Sequence, residues 1–241
     1  MKTIIYQINI GTGTQWNAKK ISLTLNKYFI PSVKVYAKKH NYEYKIFNED
    51  IFSNYGKNFL QSKIKALAYN KFLYLKYLDY DRIVYVDTDA YIFENAEKLP
   101  IVKNFMGVSE PKRADTQKLY SNYYSLVENF RYINAGFFIC NKEIALKLSN
   151  YMINRIYLKK KGKPKNTDNG LLNEFLYLND KNFNFEILNK KWNYWPQIND
   201  SEKIKPNIIH FAGGDGSDYL SNLLDKNIDI KNYLEKYYYH Q

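Results

Sequence analysis

The chain reads as an α/β protein with a mainly parallel central sheet flanked by helices. Three observations predict this. Apolar, β-rich runs alternate with helix-period segments, which is the pattern of strand–helix–strand units. The run Arg82-Ile83-Val84-Tyr85-Val86 is apolar at successive positions, as expected of a strand covered on both faces. No repeat, linker-like stretch or domain boundary interrupts the 241 residues, a length that one α/β domain fills. We therefore expect a single domain over 1–241, with 214–241 as a C-terminal basic and aromatic extension.

Each element has its own justification. Thr3–Ile8 is apolar and predicts a buried first strand. Gly11, Thr12, Gly13 and Thr14 mark the loop after it. Gly11-x-Gly13 lacks a third glycine at dinucleotide-binding spacing, so it does not predict a Rossmann cofactor site. Pro31 opens a short helix over 32–40, and Asn41 breaks it. Residues 42–47 alternate apolar and polar, a strand pattern. A long helix is expected over 58–78, because Leu60, Ile64, Leu67, Phe72, Leu75 and Leu78 fall mostly three or four apart. Arg82–Val86 is the central strand, and further strands are expected at Phe105–Ser109, 133–140 and 208–211. Helices are expected over 142–159 and Asp168–Leu178, and residues 231–240 form the basic and aromatic tail.

Composition narrows the function. The 25 Tyr, 14 Phe and 3 Trp exclude a disordered chain, which lacks large rings. The net charge of +12 favours anionic partners: nucleic acid, an anionic membrane surface or a phosphorylated substrate. The one dense basic run, Lys159 to Lys165, reads as a solvated loop. A single cysteine, Cys140, excludes a disulfide within the chain and fits a reducing compartment. It lies in the apolar run Gly136 to Cys140 and reads as a small buried hydrophobe. The first residues lead directly into a strand, and no 18-residue apolar run exists. These features predict a cytoplasmic protein, at most peripheral to a membrane through its tail.

The chemistry centres on Asp87-Thr88-Asp89, which ends the central strand. In an extended chain, residues i and i+2 point the same way, so the two carboxylates would repel unless a cation joined them. Hard oxygen ligands suit Mg²⁺ or Mn²⁺, ions that bind through one or two carboxylates plus substrate phosphates. Strand carboxyl ends are where open α/β sheets bind ligands. An Asp-x-Asp triplet alone also occurs in surface loops and in metal-dependent phosphatases. In phosphatases of the haloacid-dehalogenase type it follows the first strand near the N-terminus, unlike here.

The stretch 71–93 resembles the signature of GT-A-fold glycosyltransferases. It is most similar to glycosyltransferase family 8 and to the yeast and plant galactosyl-, mannosyl- and xylosyltransferase family. Four further segments agree in order: residues 36–44, 62–67, Asn134-Ala135-Gly136-Phe137-Phe138 and Ile209-His210-Phe211-Ala212-Gly213. The likeness spans residues 3–213, and the ordered set is more specific than any one motif. It implies a GT-A-type fold and a metal-dependent transferase. The donor would be a nucleotide sugar, a UDP-sugar foremost, and the acceptor a glycan, glycolipid or protein hydroxyl. Anomeric configuration would be retained.

The resemblance also implies roles. Asp87, Asp89 and His210 would hold Mn²⁺ or Mg²⁺ against the donor diphosphate. Thr88, Ala135, Gly136 and Gly213 would border the donor, and Gln7, Ile8 and Asn9 would line the base pocket. Lys63 would contact the diphosphate; the family instead places an Arg later in that helix, where this chain has Asn70 and Lys71. Asn134, Asp168 and Asn169 would lie beside the reacting sugar, with Asn169 standing where the family has Gln. Gly214-Asp215-Gly216 stands where family 8 often has a phosphate-binding Lys. Trp192, Tyr194 and Trp195 would suit either sugar stacking or core packing. The competing readings are a metal-dependent phosphatase or nucleotide-sugar hydrolase, and a basic nucleic-acid-binding protein. For the latter no recognised nucleic-acid motif is present, so no nucleic-acid partner is expected.

Overall fold

Six runs rich in β-branched and aromatic residues build the main sheet. They are β1 (Thr3–Ile8), β2 (Glu43–Phe47), β3 (Arg82–Val86), β5 (Phe105–Ser109), β6 (Ile133–Asn141) and β7 (Phe185–Leu188). In this computed structural model, residues 1–10, 19–54, 68–111, 131–158, 168–178, 184–198 and 204–239 are described. The strand order is β2-β1-β3-β6-β5-β7. Three of the five pairings are parallel (β1 with β2, β1 with β3, β5 with β7), so the sheet is mainly parallel, as expected. β6 runs against both β3 and β5. Its first residues therefore lie at the same end of the sheet as the last residues of β1, β3 and β5. A second, two-stranded ribbon pairs β4 (Ala90–Ile92) with β8 (Ile208–His210).

The continuous apolar runs are explained by burial on both faces. Ile4, Tyr6, Ile83, Tyr85, Phe138 and Cys140 point to one core; Ile5, Val84, Val86, Phe137 and Ile139 point to the other. The first core is closed by α3 (Asn70–Leu73), α4 (Lys142–Leu158) and α5 (Asp168–Leu178). Cys140 is fully buried there, and burial pushes its thiol well above the ordinary range, which fits a small core hydrophobe. The second core is closed by α2 (Ile30–Lys39), by Trp192 and by the ribbon residues Ala90, Ile92 and Ile208. The other face of the ribbon, Tyr91 and Ile209, packs into a third core with α6 (Gly213–Asp225) and α7 (Ile230–Tyr239).

Several elements depart from expectation for identifiable reasons. The helix expected from 32 is the second half of a longer one. α1 (Lys19–Thr24) runs into a π-helical turn, Leu25–Phe29, and then into α2. Pro31 has no N–H and its ring crowds the preceding carbonyls. The wider turn, in which Ile30 N bonds Leu25 O, accommodates it. The Ser32 hydroxyl donates to Phe29 O at 2.7 Å and accepts from Ile92 N at 3.0 Å, pinning the helix to β4. Of the helix expected over 58–78, residues 55–67, Lys63 included, lie outside the described residues. Beyond them α3 tightens into a 3₁₀ turn, Tyr74–Tyr77.

β7 and α6 were not expected. The tail is helix α7, whose Ile230 and Leu234 are buried with Leu220 and Leu223 of α6. Among the described residues no helix is long and apolar enough to cross a membrane. The basic run 159–165 lies outside the described residues.

Candidate active site

Asp87 is the first residue beyond β3, and the backbone there turns rather than staying extended. Ala90 N donates to Asp87 O at 3.2 Å, closing a four-residue turn that feeds β4. The carboxylates of Asp87 and Asp89 thus converge through turn geometry, not through the strand pleat the sequence suggested. Asp is a favoured first residue of such turns. Asp87 N also donates to Gly136 O at 2.8 Å, extending the β3–β6 ladder by one rung. Gln7, fully buried, donates from Nε2 to Asp87 O at 3.2 Å and accepts from the Tyr44 hydroxyl at 2.7 Å.

The ribbon brings in the distant histidine. β4 and β8 pair with Ala90 opposite His210, and Phe211 N donates to Asp89 O at 3.1 Å. His210 is therefore delivered beside Asp89 by main-chain register. Its Nε2 lies 3.2 Å from Asp89 Oδ1 and 3.7 Å from Asp87 Oδ2. One donor atom from each of Asp87, Asp89 and His210 falls within 4.8 Å of the others, close enough to share one ion. Burial pulls the imidazole toward its neutral form, but the Asp89 carboxylate, then Asp87, outweighs burial and raises it above its ordinary value. Lys71 opposes them in part. Trp195 meets the His210 ring edge-on, 6.0 Å between centroids.

On the other side of Asp87 stands Lys71, a buried cation from α3. Its Nζ is 3.2 Å from Asp87 Oδ1, 3.0 Å from Asp168 Oδ2 and 3.4 Å from Ala135 O. Burial alone would lower this ammonium; Asp87 and Asp168 outweigh burial and hold it well above the ordinary lysine value. Tyr85, two residues before Asp87 and on the same side of the strand, donates its hydroxyl to Asp87 Oδ1. Burial, then Asp87, keeps that phenol protonated far above its ordinary range, so it remains a donor. The resemblance implies the diphosphate contact for Lys63, which lies outside the described residues, and implies no role for Lys71. The one available signal was position: Lys71 stands where the resembling family carries its helix arginine.

The Asn-Ala-Gly segment has a distinctive backbone. β5 and β6 pair in register from Phe105–Cys140 to Gly107–Phe138, then resume at Val108–Asn134. Ala135, Gly136 and Phe137 have no partner on β5. Such irregularities free backbone groups beside active sites. Ala135 N donates to Asn169 Oδ1 at 2.8 Å, and Gly136 N donates to Asn134 Oδ1 at 2.8 Å. Asn169 Nδ2 donates to Glu110 Oε2 at 3.4 Å. Asn193, which the sequence did not flag, donates from Nδ2 to Asn134 Oδ1 at 3.0 Å and meets His210 Nδ1 with its Oδ1 at 2.8 Å.

The remaining expected residues are scattered around this centre. Thr88 is inside the turn, Ile8 packs against the first core, and Asn9 N bonds Phe47 O at 2.8 Å. Gly213 begins α6 at φ +67°, a left-handed conformation that favours glycine, with open space where a Cβ would be. Trp192 is core: it stacks on Phe137, 5.9 Å between centroids. Tyr194 packs against Tyr238 of α7, 5.8 Å between centroids.

No family model matches the sequence, and no curated protein sequence does. Its fold does match solved structures. One is a glycosyltransferase involved in glycosylation of the major capsid of PBCV-1: TM-score 0.58, 11% identity, covering 92% of this chain and 100% of that one. Another is the galactosyltransferase LgtC in complex with donor and acceptor sugar analogues: TM-score 0.54, 12% identity, 94% and 96%. A third is the bifunctional glycosyltransferase WbbM: TM-score 0.53, 15% identity, 88% of this chain and 46% of that one. At these identities the likeness is one of architecture: the chain has the GT-A fold of these glycosyltransferases.

Proposed function

We propose that the chain is a metal-dependent glycosyltransferase. It moves a sugar from a nucleotide-sugar donor, a UDP-sugar foremost, to a hydroxyl of a glycan, glycolipid or protein. The observation that carries this reading is the convergence of Asp87, Asp89 and His210 within 4.8 Å at the end of β3, in a fold shared with solved glycosyltransferases. Two carboxylate oxygens and an imidazole nitrogen form a donor set that suits Mn²⁺ and, less well for the nitrogen, Mg²⁺. Bound there, the ion would supply positive charge to the departing nucleoside diphosphate.

The chain's own residues prepare the rest. Tyr85 donates to Asp87 Oδ1, and Lys71 reaches both oxygens, Oδ1 at 3.2 Å and Oδ2 at 3.5 Å; Oδ2 is the one turned toward His210. The first amides of α6, just past His210, suit diphosphate oxygens, since helix N-termini attract anions. Asp168, ion-paired with Lys71, suits stabilising positive charge at the anomeric carbon during a retaining transfer. The acceptor hydroxyl then captures the sugar and gives its proton to the leaving phosphate side.

The test is a transfer and donor-hydrolysis assay with nucleotide sugars and Mn²⁺, comparing wild type with Asp89→Ala and His210→Ala. The reading expects metal-dependent release of nucleoside diphosphate that both variants lose. Unchanged turnover in both variants would remove the site assignment. Release of inorganic phosphate in place of nucleoside diphosphate would favour the phosphatase.

A further inference from the structure

We infer that Asn134 and Asn193 are positioning residues that set the tautomer of His210, so that its Nε2 lone pair faces Asp87 and Asp89. The backbone N–H of Gly136 is a donor, so the Asn134 amide atom 2.8 Å from it is the acceptor oxygen. That same oxygen lies 3.0 Å from the Asn193 amide, so the Asn193 atom facing it is the NH₂. The other end of Asn193, 2.8 Å from His210 Nδ1, is then its oxygen. An oxygen acceptor requires Nδ1 to carry hydrogen. In the neutral ring Nε2 is then bare, and it is Nε2 that lies 3.2 Å from Asp89 Oδ1. A lone pair turned toward two carboxylates is arranged for a cation.

The backbone explains how the relay exists. Gly136 turns its carbonyl to Asp87 N beyond β3 and its N–H to Asn134 Oδ1, which orients Asn134. Gly136 also makes room for the ring: a Cβ there would fall 2.2 Å from His210 Cε1 and 2.8 Å from Asn134 Oδ1. Asn134 and Gly136 thus act through His210, whereas the resemblance places them beside the donor sugar. Both Asn134 and Asn193 are buried, and both turn their side-chain oxygens to partners within the protein. The functional meaning of the relay rests on the metal reading above. The tautomer does not, because it is a property of the metal-free protein.

The experiment is ¹⁵N NMR of the imidazoles in the full chain without metal, above the pH at which His210 loses its charge, with His210 assigned by its loss in His210→Gln. The wild-type ring should show hydrogen on Nδ1 and a bare Nε2. A ring with hydrogen on Nε2 overturns the inference without any substitution. Asn193→Leu should move hydrogen to Nε2, where the Asp89 carboxylate accepts it, and weaken Mn²⁺ binding by about 10–100-fold. Asn193→Asp keeps an oxygen toward Nδ1 and should keep hydrogen there. Its second oxygen then meets the acceptor Asn134 Oδ1, so the tautomer and not the Mn²⁺ affinity is the readout for this variant. Asn193→Leu with wild-type tautomer and wild-type Mn²⁺ affinity contradicts the relay. If that variant does not fold, Asn134→Ala against Asn193→Asp makes the same comparison. A correct tautomer together with absent sugar transfer leaves the relay standing and removes the transferase reading.

Discussion

The two oxygens of the Asp87 carboxylate face two differently built regions. Oδ1 looks toward α3 and α5, where Tyr85, Lys71 and Asp168 form a buried network that carries its own cation. Oδ2 looks toward the turn and the β4–β8 ribbon, where Asp89 and His210 contribute donor atoms for an ion. The first region is held by side chains from separate helices and by charge. The second is held by main-chain register, with Ala90 opposite His210 and Phe211 N on Asp89 O. The protein cation sits closer to Oδ1 (3.2 Å) than to Oδ2 (3.5 Å), and Oδ2 is the oxygen nearer the imidazole. The regions should therefore respond differently to substitution: the Lys71 side through folding stability, the His210 side through metal affinity.

The largest effect expected is on stability. Lys71→Met removes one partner of a buried ion-paired group and leaves Asp87 and Asp168 uncompensated. Urea denaturation should show a loss of about 3–5 kcal/mol. Gly136→Ala is the corresponding blow to the other region. Overpacking against His210 should cost about 1–3 kcal/mol, and calorimetric Mn²⁺ binding should be lost, because the ring cannot stay in place. The comparison breaks if Lys71→Met leaves stability untouched, or if Gly136→Ala binds Mn²⁺ as wild type does.

A smaller effect depends on pH. The folded-state value of His210 is raised by Asp89 and Asp87 against the pull of burial. A raised value means that the contribution of the charged ring to stability is fully present below the ordinary histidine value of about 6.5. It is lost as pH climbs through the raised value. The metal-free protein should therefore melt at lower temperature as pH rises across that interval, and His210→Gln should remove the slope. Mn²⁺ competes with the same proton, so its affinity should rise by about tenfold per pH unit until the ring is neutral. Mn²⁺ affinity that falls over this interval would contradict the ligand role.

Much of the scaffold was legible in the sequence because burial on both faces leaves continuous apolar runs. β3 and β6 are of that kind, and α5 matches its expected bounds, Asp168–Leu178. β7 was not legible: it is a four-residue edge strand with Glu186 and Ile187 exposed, and it lacks a periodic signal. α6 opens with Gly213-Gly214-Asp215-Gly216, a string that argues for a loop. It is helical because Leu220 and Leu223 bury against α1 and α7, and because Gly216 lies against the Phe211 backbone, where a Cβ would come within 2.2 Å of its carbonyl carbon.

At the site, Asp87, Asp89 and His210 were named from sequence, and the structure brings their side chains together. Lys71 was not chosen although it stands where the resembling family carries its helix arginine, because apart from that position nothing marks it among 36 basic residues. Asn193 was also missed. Its signal was a polar residue inside the aromatic run Trp192-Asn193-Tyr194-Trp195, and buried polar groups must find partners.

Asp87, Asp89 and His210 are proposed to hold a divalent ion that receives a nucleotide-sugar diphosphate. The most direct measurement is thermal unfolding across a panel of nucleotide sugars, with and without Mn²⁺, in wild type and Asp89→Ala. A ligand that binds only the folded state raises its apparent stability. At least one nucleotide sugar is expected to raise the melting temperature only when Mn²⁺ is present, and Asp89→Ala to abolish the shift. Stabilisation that is independent of Mn²⁺, or that persists in Asp89→Ala, would contradict it.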